Sequence, residues 1–245
     1  MTKPTSQIAS GLQSLMREYE TVSNNLANSS TSGFKRQVNS FSAELQRQQR
    51  LSEKNSLLVG TIDTEEQIDF SQGFLTRTER PLDVALEGKG FIALETQQGL
   101  LYTRNGSLSM NLLGQLVDSS GRLVAGQNGP ITIPQNISES QIKIDVDGTL
   151  RAGETELGRI RIVEFGDSVN ALIPAGNGCF RAPADLVASA APETKVRQGA
   201  QENSNVQMMH EMTSLMTLSR LYEANLNVLR KRSEISTAIL DVAKA

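Results

Sequence analysis

From Ile8 onward, apolar residues recur at Leu12, Leu15, Tyr19, Val22 and Leu26, at spacings of 4, 3, 4, 3 and 4. A 3.5-residue period is that of a coiled-coil seam and predicts a helix at the start of the chain. Ser6 is placed to cap it. The pattern stops at Asn28-Ser-Ser-Thr-Ser-Gly33, whose side chains compete with a helix for backbone hydrogen bonds. Gly33 takes positive φ at little steric cost, so a turn at Gly33 and Phe34 is expected to redirect the chain. On conformation alone, Gly33→Val is then worse than Gly33→Asn.

Residues 205–245 contain neither Gly nor Pro and read as a second helix. Met212, Leu215, Tyr222, Leu226 and Leu229 form one seam along it. Leu218, Leu221, Val228, Ile235, Ile239 and Val242 form another. One apolar stripe suffices for a helix lying on a domain. Two stripes need partners on two sides, and the chain offers only one other strong helix. Part of the packing is therefore expected between molecules.

The middle of the chain holds most of the glycines, in turns such as Gly88-Lys-Gly90, Asn105-Gly106, Asn128-Gly129 and Asp147-Gly148. Asn-Gly and Asp-Gly between apolar runs signal hairpins, because both central positions of a type I′ turn need positive φ. Strands are predicted at 82–86, 91–95, 101–104, 108–111, 116–117, 123–124, 131–133, 142–145, 149–152 and 159–165. Residues 35–72 carry no clear period; Phe41, Leu45 and Leu51 alone hint at a short helix there. The stretch reads as an extended linker, partly disordered until a partner orders it. The fold class is α+β, with N- and C-terminal helices pairing as a coiled coil and a central antiparallel all-β domain. The divisions are 1–34, 35–72, 73–200 and 201–245.

Composition removes several functions. Among 245 residues there are one His, one Cys and no Trp, and the net charge is −3. That excludes a disulfide framework and a Cys/His zinc site. It also speaks against nucleic-acid binding, which wants a basic or aromatic surface. No run approaches the ~18 apolar residues of a membrane span. No apolar stretch follows Met1-Thr-Lys-Pro, so a cleaved secretory signal is not expected.

The candidate chemistry is thin. Asp145-Val-Asp147-Gly148-Thr149 faintly resembles a calcium loop and finds Glu156 at position 12, but Gly148 stands at position 4 where that loop requires Gly at position 6. A hairpin turn explains it. Gly88-Lys-Gly90 lacks the spacing of a phosphate loop. Cys179 reads as a small buried residue and His210 as a residue on the second helix, with no nucleophile–base–orienter set between them. Met208, Met209, Met212 and Met216 read as adaptable packing. Catalytic residues, cofactors and metals are all expected to be absent.

Three segments together resemble one family. Val22-Ser-Asn-Asn-Leu-Ala-Asn-Ser-Ser-Thr-Ser-Gly-Phe-Lys-Arg36 is similar to the N-terminal signature of the bacterial flagellar rod and hook proteins. Arg80-Pro-Leu-Asp-Val-Ala-Leu-Glu-Gly-Lys-Gly-Phe91, with Leu101-Tyr-Thr-Arg-Asn-Gly-Ser-Leu108, resembles the family's β-domain signature. Gln198-Gly-Ala-Gln-Glu-Asn-Ser-Asn-Val206, with Arg220-Leu-Tyr-Glu-Ala-Asn225, resembles its entry into the C-terminal helix.

The resemblance implies a structural axial subunit of the flagellar basal-body rod, spanning the periplasm. Such a subunit leaves the cell through the flagellar type III export apparatus without a cleaved signal. It self-assembles through its terminal helices, with copies of itself and other rod proteins, to transmit torque and enclose the export channel. The assembly interface would then be Ile8, Leu12, Leu15, Tyr19, Val22 and Leu26 with Met212, Leu215, Tyr222, Leu226 and Leu229. About forty residues between Lys35 and Gln72, and the run Glu211-Met-Thr-Ser-Leu-Met216, look more like the proximal-rod member than the distal-rod or hook members. The other reading is a coiled-coil-anchored β module of adhesin-like binding type.

Overall fold

The computed structural model describes residues 3–39 and 66–242, the side chains of 3–10, 66, 232, 233 and 236–242 excepted. Phe41, Leu45 and Leu51 of the expected linker lie outside the described residues, as does the side chain of Ile8. The chain is α+β, with a helix towards each end and antiparallel strands between. It divides into two compact units. One comprises α1 (Lys3–Ala27), a ladder of Gln37–Asn39 with Glu66–Ile68, and α2 (Met208–Val242); the other comprises Asn28–Arg36 and Phe70–Val206.

In the helical unit, Leu15, Val22 and Leu218 are buried together, with Leu215 packed against them. The buried face of α1 also carries Glu18, Thr21 and Asn25, whereas Tyr19 is 45% exposed. The apolar seam legible in the sequence therefore alternates with polar positions. Asn25 explains why one of them is buried. Its amide donates to the Gln37 carbonyl at 2.8 Å and accepts from the Gln37 N–H at 2.8 Å. Asn39 donates to the Thr21 hydroxyl at 2.9 Å. The short strand after the turn is thus held to α1 by side chains that satisfy backbone groups its ladder with Glu66–Ile68 leaves open. Among the described residues, three buried apolar side chains are a thin core for helices of 25 and 35 residues, since isolated helices are marginal in water.

In the β unit the main sheet runs in the order Ile173–Gly176, Cys179–Arg181, Gly99–Thr103, Phe91–Thr96, Leu123–Gly126, Leu116–Asp118, Leu108–Met110. A second sheet joins Ile142–Ile144, Thr149–Ala152 and Thr155–Arg159. One core lies between them and includes Leu86, Ile92, Leu94, Leu108, Leu116, Ile133, Leu150 and Ile160.

Two expectations about strands are corrected. The predicted strand 159–165 is broken at Ile160, whose N–H bonds to the Gly148 carbonyl at 2.9 Å and which bridges to Gly126. Ile162–Glu164 then pairs with Phe91 and Ile92. The predicted strand 131–133 is a single bridge, Thr132 to Gln115. Leu75–Arg77, Lys195–Gln198 and Ala200–Glu202 are strands without apolar alternation. They form because they complete ladders with one another or with Val84–Glu87.

Candidate functional site

The stretches on either side of the helices meet inside the β unit. Gly33, Phe34 and Lys35, which follow α1, lie against Ala200–Glu202, which precedes α2. The Gly33 N–H donates to the Glu202 carbonyl at 2.7 Å. The Arg36 N–H donates to Asn205 Oδ1 at 2.7 Å, and Asn205 reaches on to the Ser71 hydroxyl at 3.0 Å. Ser32 donates to Gln201 Oε1 at 2.9 Å, and Gln201 donates to Asp83 at 2.8 Å.

Glu202 is the centre. Its side chain has no exposed surface, and neither does that of Lys35, whose Nζ lies 2.6 Å from Glu202 Oε1. The same oxygen accepts from the Gly73 N–H at 2.9 Å. Lys35 also donates to the Ser71 carbonyl at 2.7 Å. Arg104 Nη1 faces Glu202 Oε2 at 3.5 Å and the guanidinium stacks 5.1 Å over the Phe91 ring, while Nη2 donates to the Gly88 carbonyl. Burial pulls the Arg104 pKa down and the Glu202 carboxylate opposes it; the guanidinium stays charged because its ordinary pKa lies so high. Two cations and one anion are thus buried together, so removing the anion leaves charge uncompensated on both sides.

Gly33 has φ +70°. A Cβ built there would sit 2.4 Å from the Asn105 nitrogen and 2.5 Å from the Arg104 carbonyl carbon. Both the turn and the close approach of another backbone demand glycine. Asn relieves only the first constraint, so the expected ranking of Asn over Val does not follow from this structure. Phe34 is buried beside it.

Of the expected interface residues, Leu15 and Val22 are buried and meet Leu215, which is half-buried. Leu12, Leu26, Tyr222, Leu226 and Leu229 are half-buried, and Tyr19 and Met212 are exposed. Sequence reasoning missed Glu202, Arg104 and Asn25. Each sits in a quoted signature segment among mostly polar neighbours, and nothing local marks its role.

The sites of candidate chemistry resolve structurally. Asp147 accepts from the Thr149 N–H and hydroxyl, both at 3.0 Å, closing the hairpin at Gly148. Asp145 pairs with Arg151 at 3.1 Å. Cys179 is buried, and burial pushes its thiol pKa up, with Arg122 partly opposing. His210 is exposed on α2. A cavity of about 370 Å³ opens beside Arg104, lined by Phe70, Phe91, Phe165, Lys89 and Asp167 among others. Among the described residues no helix is long and apolar enough to cross a membrane.

Three family models match the chain, and each contributes to the Glu202 cluster. The model for the flagella basal body rod protein covers residues 8–35, which end in Gly33, Phe34 and Lys35. The flagellar hook protein FlgE/F/G D1 domain covers 85–152, including Arg104. The flagellar basal body rod FlgEFG protein C-terminal model covers 197–242, including Glu202. The chain is 32% identical over 237 residues to the flagellar basal-body rod protein FlgF of Salmonella typhimurium, covering 91% of this chain and 90% of that one. It is 29% identical over 228 residues to FlgF of Caulobacter vibrioides, covering 93% and 92%. It is 32% identical over 255 residues to the rod protein FlgG of the same organism, covering 94% and 95%. Matched over more than nine-tenths of its length by such relatives, and folded around the residues their shared models span, the chain belongs to the flagellar basal-body rod protein family.

Proposed function

We propose that this rod subunit works by assembly alone, without catalysis, and that its second apolar stripe, from Leu221 onward, is the surface on which neighbouring subunits pack. The chain is a structural component of the flagellar basal body. One observation carries the packing reading. Leu215 of the first stripe and Leu218 at the start of the second pack with α1, while Leu221, Val228 and Ile235, further along the second stripe, are 43%, 51% and 59% exposed. Met209 and Met216 are also exposed, at 75% and 64%. A helix with one face covered and one apolar face in water is stabilised by covering the second. We read α1 and α2 as a coiled-coil pair that joins equivalent pairs of other subunits, the contacts being head-to-tail because only such contacts extend a helical assembly.

In this reading the Glu202 cluster holds the chain on either side of the helices in one place, so that load on the helices passes to the β unit through buried bonds. Export through the flagellar type III apparatus, a periplasmic position and assembly with copies of itself and with other rod proteins belong to the same proposal. The short stretch between Lys35 and Gln72 supports a proximal place in the rod.

Leu221→Asp and Val228→Asp test it. Both side chains are exposed in the single chain, so folding should be unchanged by circular dichroism. Incorporation into purified basal bodies, and with it swimming, should be lost, because a carboxylate buried in an apolar contact costs several kcal/mol. Normal swimming with both variants would sink the reading.

A further inference from the structure

The chain contains three Asn-Gly pairs, at Asn105, Asn128 and Asn177. Asn-Gly is the dipeptide in which the backbone nitrogen after Asn meets least hindrance when it attacks the side-chain amide, because Gly carries no Cβ. The fold treats the three differently.

At Asn105 the reaction is blocked. Gly106 is buried, and a Cβ there would sit 1.8 Å from the Val84 carbonyl oxygen, so its backbone has no room to move. The Asn105 side-chain oxygen accepts from the Ser107 N–H at 3.0 Å, which holds the amide away from Gly106. Asn128 is exposed but is the second central residue of its turn; Gly129 pairs with Gly126. The Gly129 nitrogen is then the donor that a two-residue turn uses to close on itself.

Asn177 differs on each count. It is exposed, at the tip of the hairpin between Ile173–Gly176 and Cys179–Arg181, where Gly176 pairs with Cys179. Asn177 and Gly178 have φ +51° and +67°, both positive as a type I′ turn requires. In such a turn the closing donor is the fourth residue, Cys179, so the Gly178 nitrogen is left out of the turn's hydrogen bond. The space around Gly178 is open, and its anchoring bond, from the Thr103 hydroxyl at 2.9 Å, is to the carbonyl oxygen and not to the nitrogen.

We propose that Asn177 is a self-modification site of the folded chain, converting to an aspartyl or isoaspartyl residue with loss of ammonia. The Gly178 nitrogen, giving up its proton, forms a bond to Asn177 Cγ. The Cγ–amide bond breaks and the amide nitrogen leaves as ammonia, giving a cyclic imide. Water then adds to one of the two imide carbonyls and opens the ring. Opening on the side-chain side gives Asp; opening on the backbone side gives isoaspartate, whose main chain is longer by one carbon. No oxidant or metal is consumed; one water enters and one ammonia leaves. The isoaspartyl product no longer fits a two-residue turn, so the Gly176–Cys179 pairing opens and the buried Cys179 thiol becomes reachable.

The experiment ages the full-length chain in mildly alkaline buffer and maps its peptides by mass spectrometry, with isoaspartyl methyltransferase labelling. Amide-to-acid conversion should appear at Asn177 severalfold faster than at Asn128 and be undetectable at Asn105. In denaturant the three should convert at similar rates, which shows that the fold does the selecting. Thiol labelling of Cys179 should rise in step with isoaspartate, and an Asn177→Gln chain should show neither change. Conversion at Asn105 or Asn128 in the folded chain as fast as at Asn177 would overturn the proposal, as would an Asn177 that stays intact in the folded state while it converts in denaturant.

Discussion

Glu202→Gln keeps the shape of the side chain and removes its charge, which isolates what the anion does. Lys35 Nζ lies 2.6 Å and Arg104 Nη1 3.5 Å from the carboxylate. At an effective dielectric of about 20 these attractions are roughly 6 and 5 kcal/mol. They offset the desolvation of three charges, so the net loss is smaller than their total. Removing one partner of a buried ion pair costs about 3–5 kcal/mol, because the survivors stay buried without compensation. Gln can still accept from the Gly73 N–H, which places the expected loss near the lower end, about 3 kcal/mol of a domain's typical 5–15.

The two single variants should differ in a definite order. Lys35→Met leaves Glu202 facing Arg104, a balanced pair, and should cost less than Glu202→Gln, which leaves two cations and no anion. Adding Lys35→Met to Glu202→Gln should recover part of the loss. Urea unfolding of the full-length chain, followed by circular dichroism, measures all three, and trypsin cleavage after Lys35 and Arg36 reports whether the segment has come loose. A Glu202→Gln change within ~0.5 kcal/mol, the range of an ordinary surface substitution, would refute the reasoning. So would Lys35→Met proving the costlier variant.

Gly33→Asn and Gly33→Val should both destabilise, by about 2–5 kcal/mol from left-handed strain and overpacking together; an Asn variant as stable as the parent in urea would show that the Asn105 backbone yields. Leu15→Asp and Val22→Asp place a carboxylate in the Leu218 cluster and should lower helical circular dichroism while the β unit keeps its unfolding transition; unchanged helicity would remove the seam from the account. Cys179 has its pKa raised by burial, so the folded chain holds the thiol proton more tightly than the unfolded one. That contribution is complete below the unfolded thiol value of about 8.5 and is lost as pH rises above it, where the unfolded thiol ionises first. Stability against urea should therefore decline with alkaline pH, and Cys179→Ala should flatten the decline; an unchanged slope would show that the thiol is not its source.

Periodicity alone located both helices, because a 3.5-residue repeat and a Gly- and Pro-free stretch are local properties of the chain. Asn128-Gly129 and Asp147-Gly148 located hairpins for the same reason, though only the glycine of each pair takes positive φ, whereas Asn105-Gly106 joins two strands that do not pair with each other. The strands Lys195–Gln198 and Ala200–Glu202 were not legible. They are polar, and what makes them strands is a ladder partner more than a hundred residues away. Tyr19 fits the apolar period yet is exposed, whereas Asn25 breaks it and is buried. The burial of Asn25 depends on the Gln37 backbone, which no periodicity contains. Gly33 could be read as a turn, but that it must also admit the Asn105 backbone is a fact about two segments at once. The signature residues Lys35, Arg104 and Glu202 stand far apart in sequence, each an ordinary charge among its neighbours. Only the closed β unit brings them within ion-pair distance and out of water, and there an ordinary charge becomes one that the fold cannot lose.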